Sequence, residues 1–138
     1  MSVHTNALAV ATRGKGLYPF TREAAKWIAS TGAREGLLTL FIQHTSASLV
    51  IQENADPDVV LDLADFFERL APEGAARYRH DTEGSDDMPA HIRAALTQTS
   101  LSIPVSAGRM MLGTWQGLYV FEHRLEPQRR SVVAQLIY

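Results

Sequence analysis

Four histidines, His44, His80, His91 and His123, each sit among polar or charged neighbours near the end of a segment, and they are the side chains best suited to chemistry here. Imidazole is the usual nitrogen ligand for zinc and similar divalent ions, and three such ligands leave an open position for water or substrate. No His-x-x-x-His spacing ties any two of them together, so a shared site would have to be assembled from separate segments. The alternative is that each is a hydrogen-bonded structural or surface residue. His4, at the chain start, reads as an ordinary terminal residue. The chain has no cysteine, which removes disulfides, thiolate nucleophiles and sulfur ligands together. Any transition metal must then be held by histidine and carboxylate.

The segment His80-Asp81-Thr82-Glu83-Gly84-Ser85-Asp86-Asp87 places four carboxylates within seven residues. Crowded carboxylates raise one another's pKa unless a cation or a donor compensates, so this loop is either spread in water or gathered around a cation. If a helix begins at Asp87, then Asp87 and His91 are four apart on one face: a general-base pair, a ligand with its orienting partner, or a cap with a neighbour. Thr45, Ser46 and Ser48 gather around His44, where hydroxyls suit phosphate oxygens or would pair a Ser nucleophile with a His base. No G-x-S-x-G elbow accompanies them. Along Leu118 to Arg124, Tyr119, Phe121 and His123 alternate to one face and Leu118, Val120, Glu122 and Arg124 to the other. Glu122 and Arg124 thus end an apolar face, where they reach solvent, form a rim ion pair, or grip a ligand, Arg124 by two parallel bonds to a phosphate or carboxylate. In Gly113-Thr114-Trp115-Gln116-Gly117, two glycines bracket Trp115 and Gln116, which offers an aromatic surface for a ring or simply a hairpin. Gly14-Lys15-Gly16 lacks the third glycine and the helix of a phosphate loop and reads as a turn.

The elements that must position these residues follow from periodicity. Leu8 to Thr12 reads as a strand, turning at Gly14-Lys15-Gly16 into the aromatic-bearing segment Leu17 to Phe20. Thr21 caps a helix over Arg22 to Ser30, with Ala24, Trp27 and Ile28 on one stripe and Gly32 at its end. Leu37 to Gln43 is apolar on both alternating sets and reads as a strand covered on both faces, with Ser48 to Gln52 as its partner. Asp56-Pro57 starts a second helix reaching toward Pro72, apolar at Val59, Leu63, Phe66 or Phe67, and Leu70. Met88 to Gln98 is a third. The last forty residues switch to period two, at Leu101, Ile103 and Val105, Leu118 and Val120, and Val132 to Tyr138, with turns near Ala107-Gly108 and Pro127. The fold expected is α+β: mainly antiparallel or mixed sheets with about three helices, as one domain over residues 1–138.

Composition bounds the partners. The 138 residues are 46% hydrophobic and 20% charged, a globular composition. Between Glu53 and Asp87 eleven acids face three arginines, a charge of −8, while basic residues elsewhere are scattered apart from Arg129-Arg130. No basic stripe tracks a phosphate backbone, so nucleic acid is not an expected partner. No apolar run approaches the ~20 residues of a membrane span. A cytoplasmic protein without a membrane partner is the expectation.

Taken together, His44-Thr45-Ser46-Ala47-Ser48-Leu49, Glu53-Asn54-Ala55-Asp56-Pro57-Asp58, Glu83-Gly84-Ser85-Asp86-Asp87-Met88-Pro89-Ala90-His91-Ile92, and Gly113-Thr114-Trp115-Gln116-Gly117 followed by Glu122-His123-Arg124 resemble the YjbQ-like family, also described as secondary thiamine-phosphate synthases. The resemblance spans essentially the whole chain, with departures at Gln52 and Val60 and a variable position at Asp81. It implies a homotrimer of small α+β subunits with mixed sheets. The implied reaction joins an aminopyrimidine methyl diphosphate to a thiazole phosphate and expels diphosphate, which requires neutralised leaving oxygens, an aromatic surface and exclusion of water. On that basis Asp87, His91 and Glu122 are candidate catalytic residues, and Thr45, Ser46, Ser48, Trp115, Gln116 and Arg124 candidate ligand contacts. His44, His91 and His123 are candidate ligands for a divalent metal, zinc or similar, between subunits, with Mg accompanying a diphosphate substrate. The alternative is a trimeric small-ligand-binding or regulatory protein whose histidines pair at interfaces, without robust catalysis.

Overall fold

The computed structural model describes residues 1–138, with only the backbone of Ala75. In chain order the elements are β1 (Val3–Thr12), β2 (Gly16–Pro19), α1 (Thr21–Thr31), β3 (Gly36–Ile42), β4 (Ala47–Glu53) and α2 (Pro57–Leu70). After a single 3-10 turn at Ala75–Arg77 come α3 (Asp87–Leu96), β5 (Ser100–Ser106), β6 (Arg109–Met110), β7 (Gln116–Glu122) and β8 (Gln128–Ile137). The α+β expectation holds, with three α-helices and two sheets. One sheet has five strands in the order β1-β8-β3-β5-β6, the other three in the order β2-β7-β4. Every strand pair in both is antiparallel.

The core lies between the sheets. In the five-stranded sheet Leu38, Leu40 and Ile42 face inward beside Leu136, Ala134 and Val132, which stand opposite them in register. In the three-stranded sheet Ala47 and Leu49 share the inner face with Leu118 and Val120. Helix α1 closes one side with Ala24 and Ile28, both buried. Burying a Leu or Ile side chain contributes roughly 1.5–3 kcal/mol each, so these facing rows hold the two sheets together. The other face of the three-stranded sheet meets α2, through Phe67 stacked edge-on against Phe121 at 5.2 Å between centroids, and α3. The outer face of the five-stranded sheet is bare, with Val3, Leu37, Phe41 and Ile137 exposed along it.

Local chemistry explains the helix limits. The Asp56 side chain accepts from the Asp58 N–H at 2.9 Å and Pro57 opens α2, as the sequence anticipates. Gly32 ends α1 at φ 74°, a left-handed position that suits glycine. Thr21 lies inside α1, and its hydroxyl accepts from the Leu118 N–H at 2.9 Å, tying helix to sheet. The third helix stops at Leu96 and not at Gln98, because extended Thr97 turns the chain and Gln98 bridges to Leu49.

Three strand expectations are corrected. β1 begins at Val3 and not at Leu8, since its polar start carries no apolar period yet pairs with β8 as far as Val3 opposite Ile137. β3 and β4 are not partners: β3 pairs with β5 and β8, and β4 with β7. The intervening His44-Thr45-Ser46 does not close a hairpin; it bonds to Arg130 and Ser131 and carries the chain from one sheet to the other. β3 is also covered on one face only, with Leu37 and Phe41 exposed on the other.

Candidate metal centre

Helix α3 begins at Asp87, so the four-residue spacing puts Asp87 and His91 on one face, with Asp87 Oδ2 3.0 Å from His91 Nε2. The acidic loop folds back through Gly84, at φ 104°, and delivers His80, whose Nε2 lies 2.7 Å from the same oxygen. His80, Asp87 and His91 thus each offer a ligand atom, all within 4.8 Å of one another. Among the described residues this is the one such grouping of His, Asp and Glu. Asp87 is buried, and the two imidazoles are about a third exposed, so the cluster opens to solvent from the histidine side.

The acidic loop is gathered around a cation of the chain itself. Arg124, immediately beyond β7, donates from Nε to Asp86 Oδ2 at 2.9 Å, from Nη1 to Asp87 Oδ1 and from Nη2 to the Glu83 carbonyl at 3.0 Å. The Leu125 N–H adds a bond to Asp86 Oδ2 at 2.9 Å. Burial alone would raise the Asp87 carboxyl, but the bond from His80 and the charge of Arg124 outweigh it and hold it below the usual carboxylate range. Arg124 therefore occupies Oδ1 and leaves Oδ2 facing the histidines.

His91 Nδ1 lies 2.8 Å from the Thr45 carbonyl, which can only accept, so this nitrogen carries a proton. In a neutral ring Nε2 is then a bare lone pair, and it points at a carboxylate oxygen 3.0 Å away. Two acceptors at that distance repel unless a proton or a metal ion lies between them. A ring N–H bonded to a backbone carbonyl is also the arrangement that orients metal-ligating histidines.

The other candidates are distributed elsewhere. His44 sits at the end of β3 with Nε2 accepting the Ser131 N–H at 2.8 Å and Nδ1 3.4 Å from the Arg130 guanidinium. Burial, and then the charge of Arg130, lower its pKa. With one nitrogen occupied and a fixed cation at the other, it stands outside the cluster. His123 is 1% exposed, with Nε2 2.9 Å from the Ser48 hydroxyl and no partner at Nδ1. Ser48 is itself fully buried and bonds Thr97. Glu122 lies between the sheets, where it accepts from Thr12 at 2.6 Å, twice from Arg130, and from the backbone N–H groups of His123 and Arg124. Those bonds hold its carboxyl low against the burial that would raise it, and leave no lone pair for proton transfer. Ser46 accepts from Arg130 at 3.0 Å.

Trp115 is exposed, and Gln116 accepts the Gly113 N–H at 2.7 Å, the hairpin geometry that the paired glycines suggested. They stand at the opposite end of the seven-residue β7 from Arg124, roughly 20 Å along the strand. Thr45 lines a groove of about 270 Å³ beside His91, together with His44, Ala94, Ala95 and Thr99. His80 as the third member of the cluster, and the buried Arg93 and Arg130, escape the sequence reading. The adjacent Arg129-Arg130 pair and the position of His80 at the edge of the acidic loop were the available signals.

A family model described as UPF0047 protein YjbQ-like matches residues 6–138. The UPF0047 protein sll1880 of Synechocystis is 54% identical over 133 residues, covering 96% of this chain and 90% of its own. The UPF0047 protein YjbQ of Escherichia coli O157:H7 is 41% identical over 134 residues, covering 96% of each. The crystal structure of the conserved hypothetical protein TT1486 from Thermus thermophilus superposes with a TM-score of 0.85 at 34% identity, over 96% of this chain and 99% of that one.

Proposed function

The chain belongs to the UPF0047 YjbQ-like protein family, and from that membership and the cluster geometry we propose that it holds a divalent transition metal on His80, Asp87 and His91 and acts there on a small phosphorylated molecule. The observation that carries this reading is the convergence of Nε2 of His80 and Nε2 of His91 on one oxygen of the buried Asp87, a spacing that a proton or a bound cation bridges. Two imidazoles and one carboxylate are a donor set that suits zinc, iron or manganese and leaves positions open for ligand. A bound ion would supply charge neutralisation for phosphate oxygens.

The chain's own residues have distinct parts in this reading. Asp87, ionised, anchors the cation; Arg124 fixes the carboxylate plane through Oδ1; the Thr45 carbonyl fixes the His91 ring. The groove past Thr45 and Thr99 receives the organic part of the ligand. The substrate pair we favour is the one implied by the family resemblance, an aminopyrimidine methyl diphosphate and a thiazole phosphate. A C–N bond forms from the thiazole nitrogen as the methylene C–O bond to diphosphate breaks, and diphosphate leaves. No proton changes place in that step. What the site has to provide is stabilisation of the departing oxygens and exclusion of water, which fits a centre whose acidic groups are already committed.

The partner in this reading is a second copy of the chain, with three copies implied by the resemblance. The bare outer sheet face supports it: Phe41 stands beside Val133 and Ala7 across three strands, and Leu37 beside Ile137 and Val3. A β-surface with this apolar content is normally covered.

Elemental analysis of natively purified, untagged protein tests the metal. Near one zinc, iron or manganese per chain is expected, lost in His80→Ala and His91→Ala. Metal-free protein after supplementation would mean a proton, not a cation, between His91 and Asp87, and the reading would pass to a small-ligand-binding or regulatory protein. Turnover of the pyrimidine and thiazole pair, falling at least 100-fold in Asp87→Asn, tests the substrate; loaded protein with no turnover above buffer overturns that part.

A further inference from the structure

Thr45, whose carbonyl meets the His91 ring, lies in a connector that has no regular structure of its own. Residues 43 to 46 leave the five-stranded sheet after β3 and enter the three-stranded sheet at β4. What holds this connector comes from β8. The Gln43 N–H donates to the Ser131 carbonyl at 3.2 Å, and the Ser131 N–H returns a bond to His44 Nε2 at 2.8 Å. On the other side of Thr45, Arg130 Nη2 donates to the Ser46 hydroxyl at 3.0 Å and to its carbonyl at 3.2 Å. Thr45 is thus tied on both sides to two consecutive residues of one strand.

Arg130 is itself buried and fixed by a fork onto Glu122, from Nε to Oε1 at 2.7 Å and from Nη2 to Oε2. Two parallel bonds set the plane of a guanidinium as well as its place. Glu122, fully buried, reaches the other half of the cluster too. Its Oε2 accepts the backbone N–H of Arg124 at 3.1 Å, and the Arg124 side chain holds Asp87 Oδ1 and Asp86 Oδ2. One buried ion pair therefore stands behind His91, through Ser46 and Thr45, and behind Asp87, through Arg124. Such a pair adds little to stability by itself, since apolar replacements of similar volume are often neutral or stabilising. The donors and acceptors left over from the fork are directed at the connector and at the end of β7.

On the metal reading above, we propose that Glu122 and Arg130 are positioning residues for the His80, Asp87 and His91 cluster, fixing where two of its three donors point. Neither residue belongs to the cluster; both act through others. When Arg130 cannot fork, the Ser46 side of the connector is released, the Thr45 carbonyl leaves His91 Nδ1, and the ring loses its fixed direction. Partners that orient metal-ligating side chains are worth about 10- to 100-fold in metal affinity.

Zinc is titrated into the full-length protein and its variants in competition with a chromophoric chelator, and the visible bands of the cobalt-loaded protein are recorded. Arg130→Lys keeps a charge beside Glu122 but cannot fork, and it should bind zinc at least about tenfold more weakly. The cobalt bands should shift with it, because the ligand field follows the His91 ring. Ile28→Ala, on the buried face of α1, should lower the urea midpoint and leave zinc affinity and cobalt bands unchanged, which separates positioning from stability. Should Arg130→Lys fail to fold, Glu122→Leu combined with Arg130→Met removes the pair without leaving a buried charge and should show the same loss of about tenfold. Ser46→Ala, at a half-buried position, removes one acceptor and should weaken zinc about threefold, the size of one ordinary hydrogen bond. Folded variants with unchanged affinity and bands would overturn the proposal and leave the pair purely structural. Native protein that takes up no zinc would overturn the metal reading and the positioning role with it.

Discussion

Acidification should destabilise this protein well before its carboxylates are protonated, because of His123. The ring is 1% exposed, its Nδ1 has no partner, and Arg93 and Arg130 are close enough for their charges to act on it. Burial first, then those two guanidinium charges, outweigh Glu122 and push its pKa from 6.5 down to about 3. The native state therefore keeps the ring neutral, whereas the unfolded chain takes up a proton below pH 6.5. Its contribution to stability is complete above that value and is lost progressively as the pH falls toward 3. From pH 7.5 to 5.0 the loss is about 2 kcal/mol, at about 1.4 kcal/mol for each unit below the unfolded pKa. With a urea dependence of about 1–3 kcal/mol per molar, the midpoint falls by about 1 M. Burial also lowers the pKa of His44, which acts in the same direction, so the assay needs a His123→Gln control. Urea unfolding followed by the fluorescence of Trp27 and Trp115, in chelator and at fixed protein concentration, gives both profiles. The native chain should lose about 2 kcal/mol more than the variant over this range. Parallel profiles would refute the reasoning, since the ring would then titrate alike in both states.

Arg124→Met strips the compensating charge from Asp86 and Asp87, both buried, and should cost about 3 kcal/mol in thermal or urea unfolding. Arg124→Lys should recover less than half of that, because an ammonium cannot fork between two carboxylates. Phe41→Asp, on the bare sheet face at 48% exposure, should leave the circular dichroism spectrum of the chain intact while sedimentation velocity shows single chains in place of the proposed trimer. An unchanged sedimentation coefficient would refute the part given to this face in the proposed trimer.

Much of the fold was written in local signals. Asp56-Pro57 opens α2, Gly32 closes α1, and the alternation of Leu118, Val120 and Glu122 against Tyr119, Phe121 and His123 divides β7 between the core and the helices. Each is a property of a few consecutive residues, and backbone sterics or side-chain direction settle it without help from distant segments. The pairing of β3 was not legible. An apolar strand suits many partners, and its choice of β5 and β8 over β4 depends on where the loop after His44 anchors, at Arg130 and Ser131.

The site divides along the same line. Asp87 and His91 were readable as a pair because helical spacing alone brings them together, whereas the acidic loop was readable only as spread in water or gathered around a cation. That the cation is Arg124, that His80 and not His44 or His123 completes the cluster, and that Glu122 is sealed between Thr12 and Arg130 are outcomes of tertiary packing. Which residues carry imidazoles and carboxylates, and the local geometry of each helix end, are determined by the sequence by itself. Which of those groups meet, which are exposed and which are neutralised was decided only when segments dozens of residues apart closed on one another, because burial and charge compensation are properties of surroundings that no single segment contains.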